Sequence, residues 1–315
     1  MKTLLVGTGY MAGEYLPVLK SLGTEVAVVG NTAESVRRFN KETGIQAISG
    51  GIEAFLKGTE TDNFETAIVA VPILKLSETT DLLLNAGIKK ILVEKPGAIC
   101  RHELEKTSAT AKKKNAKVYI AYNRRFYSST AKAKEIIEED GGVTSFNFEF
   151  TEWSHIIESL QKDSTEKKEW FLANSTHVVD LAFYLGGKPS EMECFAAGTS
   201  EWHPGAMIYA GAGRTQKGAL FSYSANWSAP GRWGVEILTE KHRLYFRPLE
   251  KLQVQDIGTV KITDVEIDDE WDSKFKPGIF NQIKSFFSDG KGLKPIDEQL
   301  DDFLYYQRIE AGKSG

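Results

Sequence analysis

Short apolar runs and helix-period segments alternate through residues 3–121, and the alternation stops there. The runs Thr3–Val6, Glu25–Val29, Ala67–Val71, Lys90–Val93 and Val118–Ala121 are apolar on both faces, the pattern of strands covered on both sides in a parallel sheet. Between them the spacing predicts helices over Tyr10–Leu22, Thr32–Thr43, Ser77–Ala86 and His102–Lys114. Gly23, Gly44 and Gly87 stand where a left-handed residue closes the first three. Strands that alternate with helices in this way predict a doubly wound α/β domain.

After Ala121 the periodicity changes. A helix over Ser129–Glu139 ends in Asp140-Gly141-Gly142, and strands then dominate: Thr144–Thr151, Glu191–Ala197, Ala206–Tyr209, Gly218–Trp227, Gly234–Thr239, His242–Phe246 and Val260–Ile267. Along Ala219–Trp227, Ala219, Phe221, Tyr223, Ala225 and Trp227 share one face and Leu220, Ser222, Ser224 and Asn226 the other, which predicts an antiparallel sheet with unlike faces. One helix, Ser175–Leu185, interrupts the strands and is stopped by Gly186-Gly187 and Pro189. Two more, near Gly278–Ser288 and Asp297–Glu310, end the chain. The expected organisation is a parallel-sheet domain over residues 1–121 and an α+β domain over 122–315, with the option that the last helix packs back on the first domain.

Composition narrows the function classes. The chain has 315 residues, 41% hydrophobic and 26% charged, an ordinary globular balance, and a formal net charge of −4. No basic face suggests nucleic acid, and no run of about 18 apolar residues suggests a membrane span. Two cysteines, Cys100 and Cys194, form no disulfide framework, and a strand begins at Thr3, so a reduced, cytoplasmic setting is expected. Cys100-x-His102 is too sparse for zinc, and no metal is expected.

Gly7-x-Gly9-x-x-Ala12 follows the first strand and opens a helix, the context a dinucleotide-binding turn requires. Gly7 serves the tight turn, Gly9 the close approach of a phosphate, and Ala12 the helix–strand packing. Thr8, Tyr10 and Met11 complete the expected pyrophosphate contacts at the helix start. The second strand ends in Gly30-Asn31-Thr32, without the acid that would bond a ribose hydroxyl pair. Asn31, Thr32 and Arg37, with Arg38 beside it, favour NADP over NAD, unless the arginines are simply solvated surface. Val71, Pro72, Glu94, Lys95 and Asn123 are the remaining expected cofactor contacts.

Three groups carry candidate chemistry. Lys95 leaves the fourth strand in Glu94-Lys95-Pro96; Pro96 restrains it and admits a cis bond, and Glu94 can orient its ammonium. A lysine there can bond a substrate oxygen, or be a solvated helix-start residue. His177 and Asp180 sit three apart on one helix, with Val178, Leu181, Ala182 and Leu185 as the apolar stripe and Asn174 or Ser175 as N-cap. A first-turn imidazole is held neutral by the dipole and can accept an alcohol proton. Arg124 and Arg125, in Tyr122-Asn123-Arg124-Arg125-Phe126, can clamp an anion or sugar hydroxyls, or form a salt-bridged junction. Trp170 can stack on a ring or fill a core, and the polar segment Ser154–Lys168 is a candidate lid.

Together, Gly7-Thr8-Gly9, Glu94-Lys95-Pro96, Asn123-Arg124-Arg125-Phe126 and His177-Val178-Val179-Asp180 before Gly186-Gly187 resemble the glucose-fructose oxidoreductase / inositol dehydrogenase / MocA (Gfo/Idh/MocA) family. The resemblance implies a Rossmann domain and a C-terminal domain with a large, mainly antiparallel open sheet that mediates homodimer or homotetramer formation. It also implies hydride transfer between nicotinamide C4 and a secondary alcohol or ketone of a sugar, cyclitol or nucleotide sugar. Lys95 matches the family lysine on the reacting hydroxyl, and His177 the acid–base histidine. Arg124, Arg125, Trp170 and Asn174 are the further expected substrate contacts. Two departures stand out: Ala173 replaces an aspartate four residues before the histidine, and Ile73 and Leu76 replace an asparagine and a histidine after the third strand. They imply a less basic His177 and a more apolar nicotinamide pocket. The alternatives are NAD-dependent glycoside hydrolysis on the same scaffold and a non-catalytic, cofactor-sensing regulator.

Overall fold

The first strand run has a parallel neighbour on each side, because it lies inside its sheet. The computed structural model describes residues 2–58 and 63–313. Its first sheet contains β1 (Lys2–Val6), β2 (Glu25–Val29), β3 (Thr66–Val69), β4 (Lys90–Val93), β5 (Lys117–Ile120) and β14 (Lys294–Pro295), in the order β14-β5-β4-β3-β1-β2. The first five strands are parallel to their neighbours, and β14 adds an antiparallel edge beside β5. Leu4, Leu5, Ala67, Ile68, Val69, Ile91 and Leu92 are buried, as helices on both faces require. β3 stops at Val69 rather than running to Val71, because the chain at Ala70 turns past Gly7: a Cβ on Gly7 would lie 2.2 Å from the Ala70 carbonyl oxygen. The helices Tyr10–Ser21, Ala33–Thr43, Leu76–Asn85 and Arg101–Lys113 lie within a residue of expectation at either end. A further helix, Gly51–Gly58, buries only Phe55 and so carries little periodic signal.

The second sheet contains β6 (Ser145–Glu149), β7 (Pro189–Ala197), β8 (Ile208–Thr215), β9 (Leu220–Asn226), β10 (Gly234–Leu238), β11 (His242–Phe246), β12 (Gln253–Asp256) and β13 (Ile262–Asp264), in the order β13-β12-β11-β10-β6-β9-β8-β7. Its neighbours are antiparallel except β6 and β9, which are parallel. Phe146, Phe148, Phe221 and Tyr223 point to one face, where helix Thr176–Gly186 covers β6 and β10 and Phe183 meets Phe146 and Phe148 edge-on at 5.8 and 5.5 Å. Leu220, Ser222 and Ser224 face outward, as the alternation predicts. β8 runs beyond the expected Tyr209 through Ala210-Gly211-Ala212-Gly213, whose small side chains give no alternating signal. The expected strand Val260–Ile267 shortens to β13, and the polar β12 pairs beside it.

The chain divides into two compact units, Met1–Asn123 with Ser273–Asp301, and Arg124–Asp272 with Asp302–Gly315. The segment Ser273–Asp301 groups with the parallel sheet. It is anchored there by Lys90 Nζ on the Ser288 carbonyl (2.8 Å) and by the edge-on contact of Tyr119 with Phe286 at 6.4 Å.

In the second unit, burial, reinforced by the charge of Glu169, pushes the Glu310 carboxyl up to about 7. A folded-state pKa above the unfolded value means the folded chain holds the extra proton, so this contribution to stability is present below the ordinary carboxylate range and is lost as pH rises through about 7. Glu310→Gln is therefore expected to raise the melting temperature over wild type increasingly from about pH 5 to about pH 8. A difference that is constant with pH contradicts this assignment.

Candidate active site

Helix Tyr10–Ser21 starts immediately beyond the turn after β1. Its N-cap, Gly9, is extended (φ −94°, ψ −171°), makes no side-chain cap, and no acid follows in the first turn. The first amides of a helix have no partner within it and lie at the positive end of its dipole. Gly7, at φ +125°, is glycine because of the fold, since a side chain there would strike Ala70. Gly9 is different: an added Cβ would meet no atom within 4 Å. The open side of Gly9 and the uncapped amides fit a dinucleotide pyrophosphate. Tyr10 is 70% exposed beside them. Lys276, not expected from sequence because it lies in the returning segment, places its ammonium 5.2 Å from the Tyr10 ring.

At the end of β2, Asn31, Thr32 and Arg37 are exposed. Thr32 Oγ1 caps helix Ala33–Thr43 by accepting from the Ser35 amide (3.1 Å), and Thr8 Oγ1 donates to Ser35 Oγ at 3.1 Å. Ser35 thus joins the hydroxyl groups expected here. Val71 and Pro72 follow Ala70 at the mouth of the same turn, with Val71 N 3.4 Å from the position a Gly7 Cβ would take.

Lys95 follows β4, half-buried, and its bond to Pro96 is cis. Buried Glu94 accepts from Tyr15 Oη through Oε1 (2.7 Å) and from the Lys95 amide through Oε2 (3.3 Å). Burial first, and then the Glu94 charge, hold the Tyr15 phenol far above its ordinary pKa, so it remains a donor. These bonds anchor the turn that carries Lys95. Pro96 O accepts from Gln299 Nε2 at 2.9 Å. Asn123 is likewise buried, and its Nδ2 donates to Pro277 O at 2.9 Å, which ties down the returning segment.

In the second unit, His177 is 6% exposed on helix Thr176–Gly186. The chain does not start a fresh helix at Asn174 or Ser175. A π-helical turn, Phe171–Ser175, leads directly into it, and Ser175 makes no cap. The physical reason is Glu152: Asn174 Nδ2 donates to both its carboxylate oxygens at 3.0 Å and Ser175 Oγ to Oε1 at 2.8 Å. The helical stretch therefore begins before His177, and the first-turn dipole argument for this histidine weakens. The helix is also buried nearly all round, not on one stripe.

Arg125 and Asp180 form a buried two-point ion pair, Nε to Oδ2 and Nη2 to Oδ1, both at 2.7 Å. That pair fixes the helix and gives Arg125 a salt-bridged role, one of the two alternatives expected for it. Arg124 stays half-buried, its guanidinium 5.0 Å from the Trp233 ring. Trp170 is a core aromatic, edge-on to Trp202 at 6.4 Å. Ser154–Lys168 forms two short helices, Ser154–Ser159 and Ser164–Lys168.

Glu152 is not among the residues expected from the sequence, although strand parity points to it. Phe146, Phe148 and Phe150 are inward, and two residues on Glu152 continues that face into the core. Burial pushes its carboxyl upward in pKa, opposed by the Ser175 bond, the Arg232 charge and the Asn174 bond. Arg232 Nη1 reaches Oε2 at 3.3 Å. Trp233 follows, with its ring 6.1 Å from that of His177.

Residues 1–122 match the family described as oxidoreductase family, NAD-binding Rossmann fold (GFO_IDH_MocA). An uncharacterized oxidoreductase of Schizosaccharomyces pombe is 28% identical over 196 residues, 60% of this chain and 52% of that protein; the match spans about half the relative's length. Levoglucosan dehydrogenase, solved with NADH and levoglucosan, superposes with a TM-score of 0.80 at 19% identity, covering 98% of this chain and 95% of its own. UDP-N-acetylglucosamine 3-dehydrogenase of Acidithiobacillus ferrooxidans gives 0.78 at 13% identity, covering 99% and 97%. The parallel sheet with its glycine turn, and the second open sheet, give the chain the fold of these solved dehydrogenases. The family match is confined to residues 1–122, the Rossmann part of the chain, and the likeness to the solved dehydrogenases is one of fold.

Among the described residues, no helix is long and apolar enough to cross a membrane, and no cluster of histidine, cysteine and acidic residues could hold a metal. Both cysteines are free.

Because a methyl group at Gly9 meets no protein atom, Gly9→Ala is expected to change stability by no more than about 0.5 kcal/mol. It should weaken NADPH binding by at least about tenfold. Unchanged affinity in a titration of nicotinamide fluorescence contradicts a pyrophosphate at this turn.

Proposed function

We propose that the chain is an NAD(P)-dependent dehydrogenase or reductase that interconverts a secondary alcohol and a ketone on a sugar, cyclitol or nucleotide sugar. The observation that carries this reading is the uncapped helix start at Gly9 in the same parallel sheet whose β4 delivers Lys95. In such sheets ligands bind beyond the carboxyl ends of the strands, at the point where strand order reverses. Bound coenzyme would supply or accept the hydride at nicotinamide C4. The Lys95 ammonium donates a hydrogen bond to the reacting oxygen, which stabilises it as alkoxide in oxidation and polarises it as carbonyl in reduction. The His177 imidazole takes the hydroxyl proton in oxidation and returns it in reduction. The solved levoglucosan and UDP-N-acetylglucosamine dehydrogenases act on sugars by name, which supports the carbohydrate class.

NADP is the preferred coenzyme in this reading. β2 ends without an acid, and Asn31, Ser35 and Arg37 offer polar and cationic groups to a 2′-phosphate. The reading extends to a cytoplasmic homodimer or homotetramer; Phe195, Ile208 and Leu220 are exposed on the outer face of the second sheet.

A panel of sugars, cyclitols and nucleotide sugars is expected to contain a compound that reduces NADP. With that compound, Lys95→Ala should lower turnover by at least about 10²-fold and leave NADPH affinity unchanged. Near-normal turnover in the variant removes Lys95 from the mechanism. NADPH should bind at least about tenfold more tightly than NADH; tighter binding of NADH reverses the coenzyme assignment.

A further inference from the structure

We infer that Tyr15 is a positioning residue for Lys95: its phenol ties the helix that would receive the coenzyme pyrophosphate to the turn that carries the lysine, and so sets how close the ammonium stands to the nicotinamide. This rests on the dehydrogenase reading above. Tyr15 lies in the second turn of helix Tyr10–Ser21, whose uncapped start follows Gly9. The residue is 0% exposed, so it touches no substrate itself. Its phenol donates to Glu94 Oε1 at 2.7 Å, a bond between segments 79 residues apart. Bonds from a hydroxyl to a carboxylate are among the stronger hydrogen bonds, and a buried carboxylate demands them.

Glu94 passes the constraint on. Its Oε2 accepts from the Lys95 amide at 3.3 Å, its own amide donates to the Val69 carbonyl at 2.9 Å, and its carbonyl accepts from the Gly97 amide at 3.0 Å. On the far side of the lysine, Pro96 O accepts from Gln299 Nε2 at 2.9 Å. The backbone at Lys95 is thus held from both ends, and the Tyr15 bond joins that frame to the coenzyme helix. All of these residues belong to the first unit. A phenylalanine would fill the same core space, so what the hydroxyl adds is a fixed separation between helix and turn. Small changes in such a separation govern how well a charged group acts on a reacting centre. Burial, and then the Glu94 charge, keep the phenol protonated, so the link holds at neutral pH.

The test is competitive labelling of the full-length protein with a trace of acetic anhydride at mildly alkaline pH, with Lys95 read by peptide mass spectrometry against the other lysines. One arm is saturated with oxidised coenzyme and the other with reduced, NADP and NADPH or, where these do not bind, NAD and NADH. The two forms have nearly the same shape, but the oxidised nicotinamide ring is cationic and the reduced ring neutral. A cation beside an ammonium favours the neutral amine, which is the form that reacts. Wild-type Lys95 is expected to label at least about threefold faster in the oxidised arm. Tyr15→Phe should cut that ratio to about half or less and leave reduced-coenzyme affinity within about twofold. Glu94→Gln, which offers the phenol a weaker, neutral acceptor, is the second variant and should lower the ratio as well. Thr3→Val removes another buried hydroxyl bond of this unit, to Thr66 at 2.8 Å, and should keep the wild-type ratio. A wild-type ratio in Tyr15→Phe, or in Glu94→Gln where Tyr15→Phe does not fold, overturns the proposal and leaves the dehydrogenase reading standing. So does an equal fall in Thr3→Val, which would make the effect a general loosening of the unit. A wild-type ratio of one, or no binding of any of the four coenzymes, removes the dehydrogenase geometry itself and this proposal with it.

Discussion

The amides at the start of helix Tyr10–Ser21 are the constraint on which the first unit's chemistry depends. Those donors have no acceptor within the helix, and no side chain caps them. The turn before them is forced by contact: Gly7 lies so close to the Ala70 carbonyl that only glycine fits, and the ends of β1 and β3 are thereby drawn together. A fold that brings these strand ends into contact leaves a polarised, open helix start beside them. An anion answers that geometry better than any group the chain itself supplies there.

A comparable constraint governs the second unit, but with the sign of the charge reversed. Glu152 is a carboxylate inside a largely apolar sheet face, and burying it demands donors. Asn174, Ser175 and Arg232 provide them, and in doing so they set the turn before His177. Ala173, which looked like the loss of a useful acid, sits next to residues that bind an acid from another element. The turn that leads into the His177 helix is therefore fixed by a carboxylate that its own helix does not reveal.

Much of the architecture was legible in the sequence, because it rests on periodicities. Continuous apolar runs mark β1 to β5, alternation along β9 separates its two faces, and Glu94-Lys95-Pro96 locates the end of β4. What escaped depends on contacts between distant segments. The sequence offers Arg125 a salt bridge without naming its partner, which is Asp180, 55 residues away on another helix. Glu152 and Arg232 meet across 80 residues, and Lys276 reaches Tyr10 across 266. β12 and the glycine-rich β8 lack the side chains that make a strand visible. The glycine turn is local in sequence, whereas the bonds of Glu94 to Tyr15 and of Asn123 to Pro277 join segments far apart in the chain.

The central claim is that one end of the parallel sheet holds a nicotinamide coenzyme with its reactive carbon at Lys95. The most direct measurement is a crystal structure of the protein grown with NADP. The account predicts pyrophosphate oxygens on the amides of the Gly9–Met11 turn and nicotinamide C4 on the side of the sheet where the Lys95 ammonium lies. Coenzyme bound with its pyrophosphate away from that turn, or with its nicotinamide ring directed away from Lys95, contradicts it.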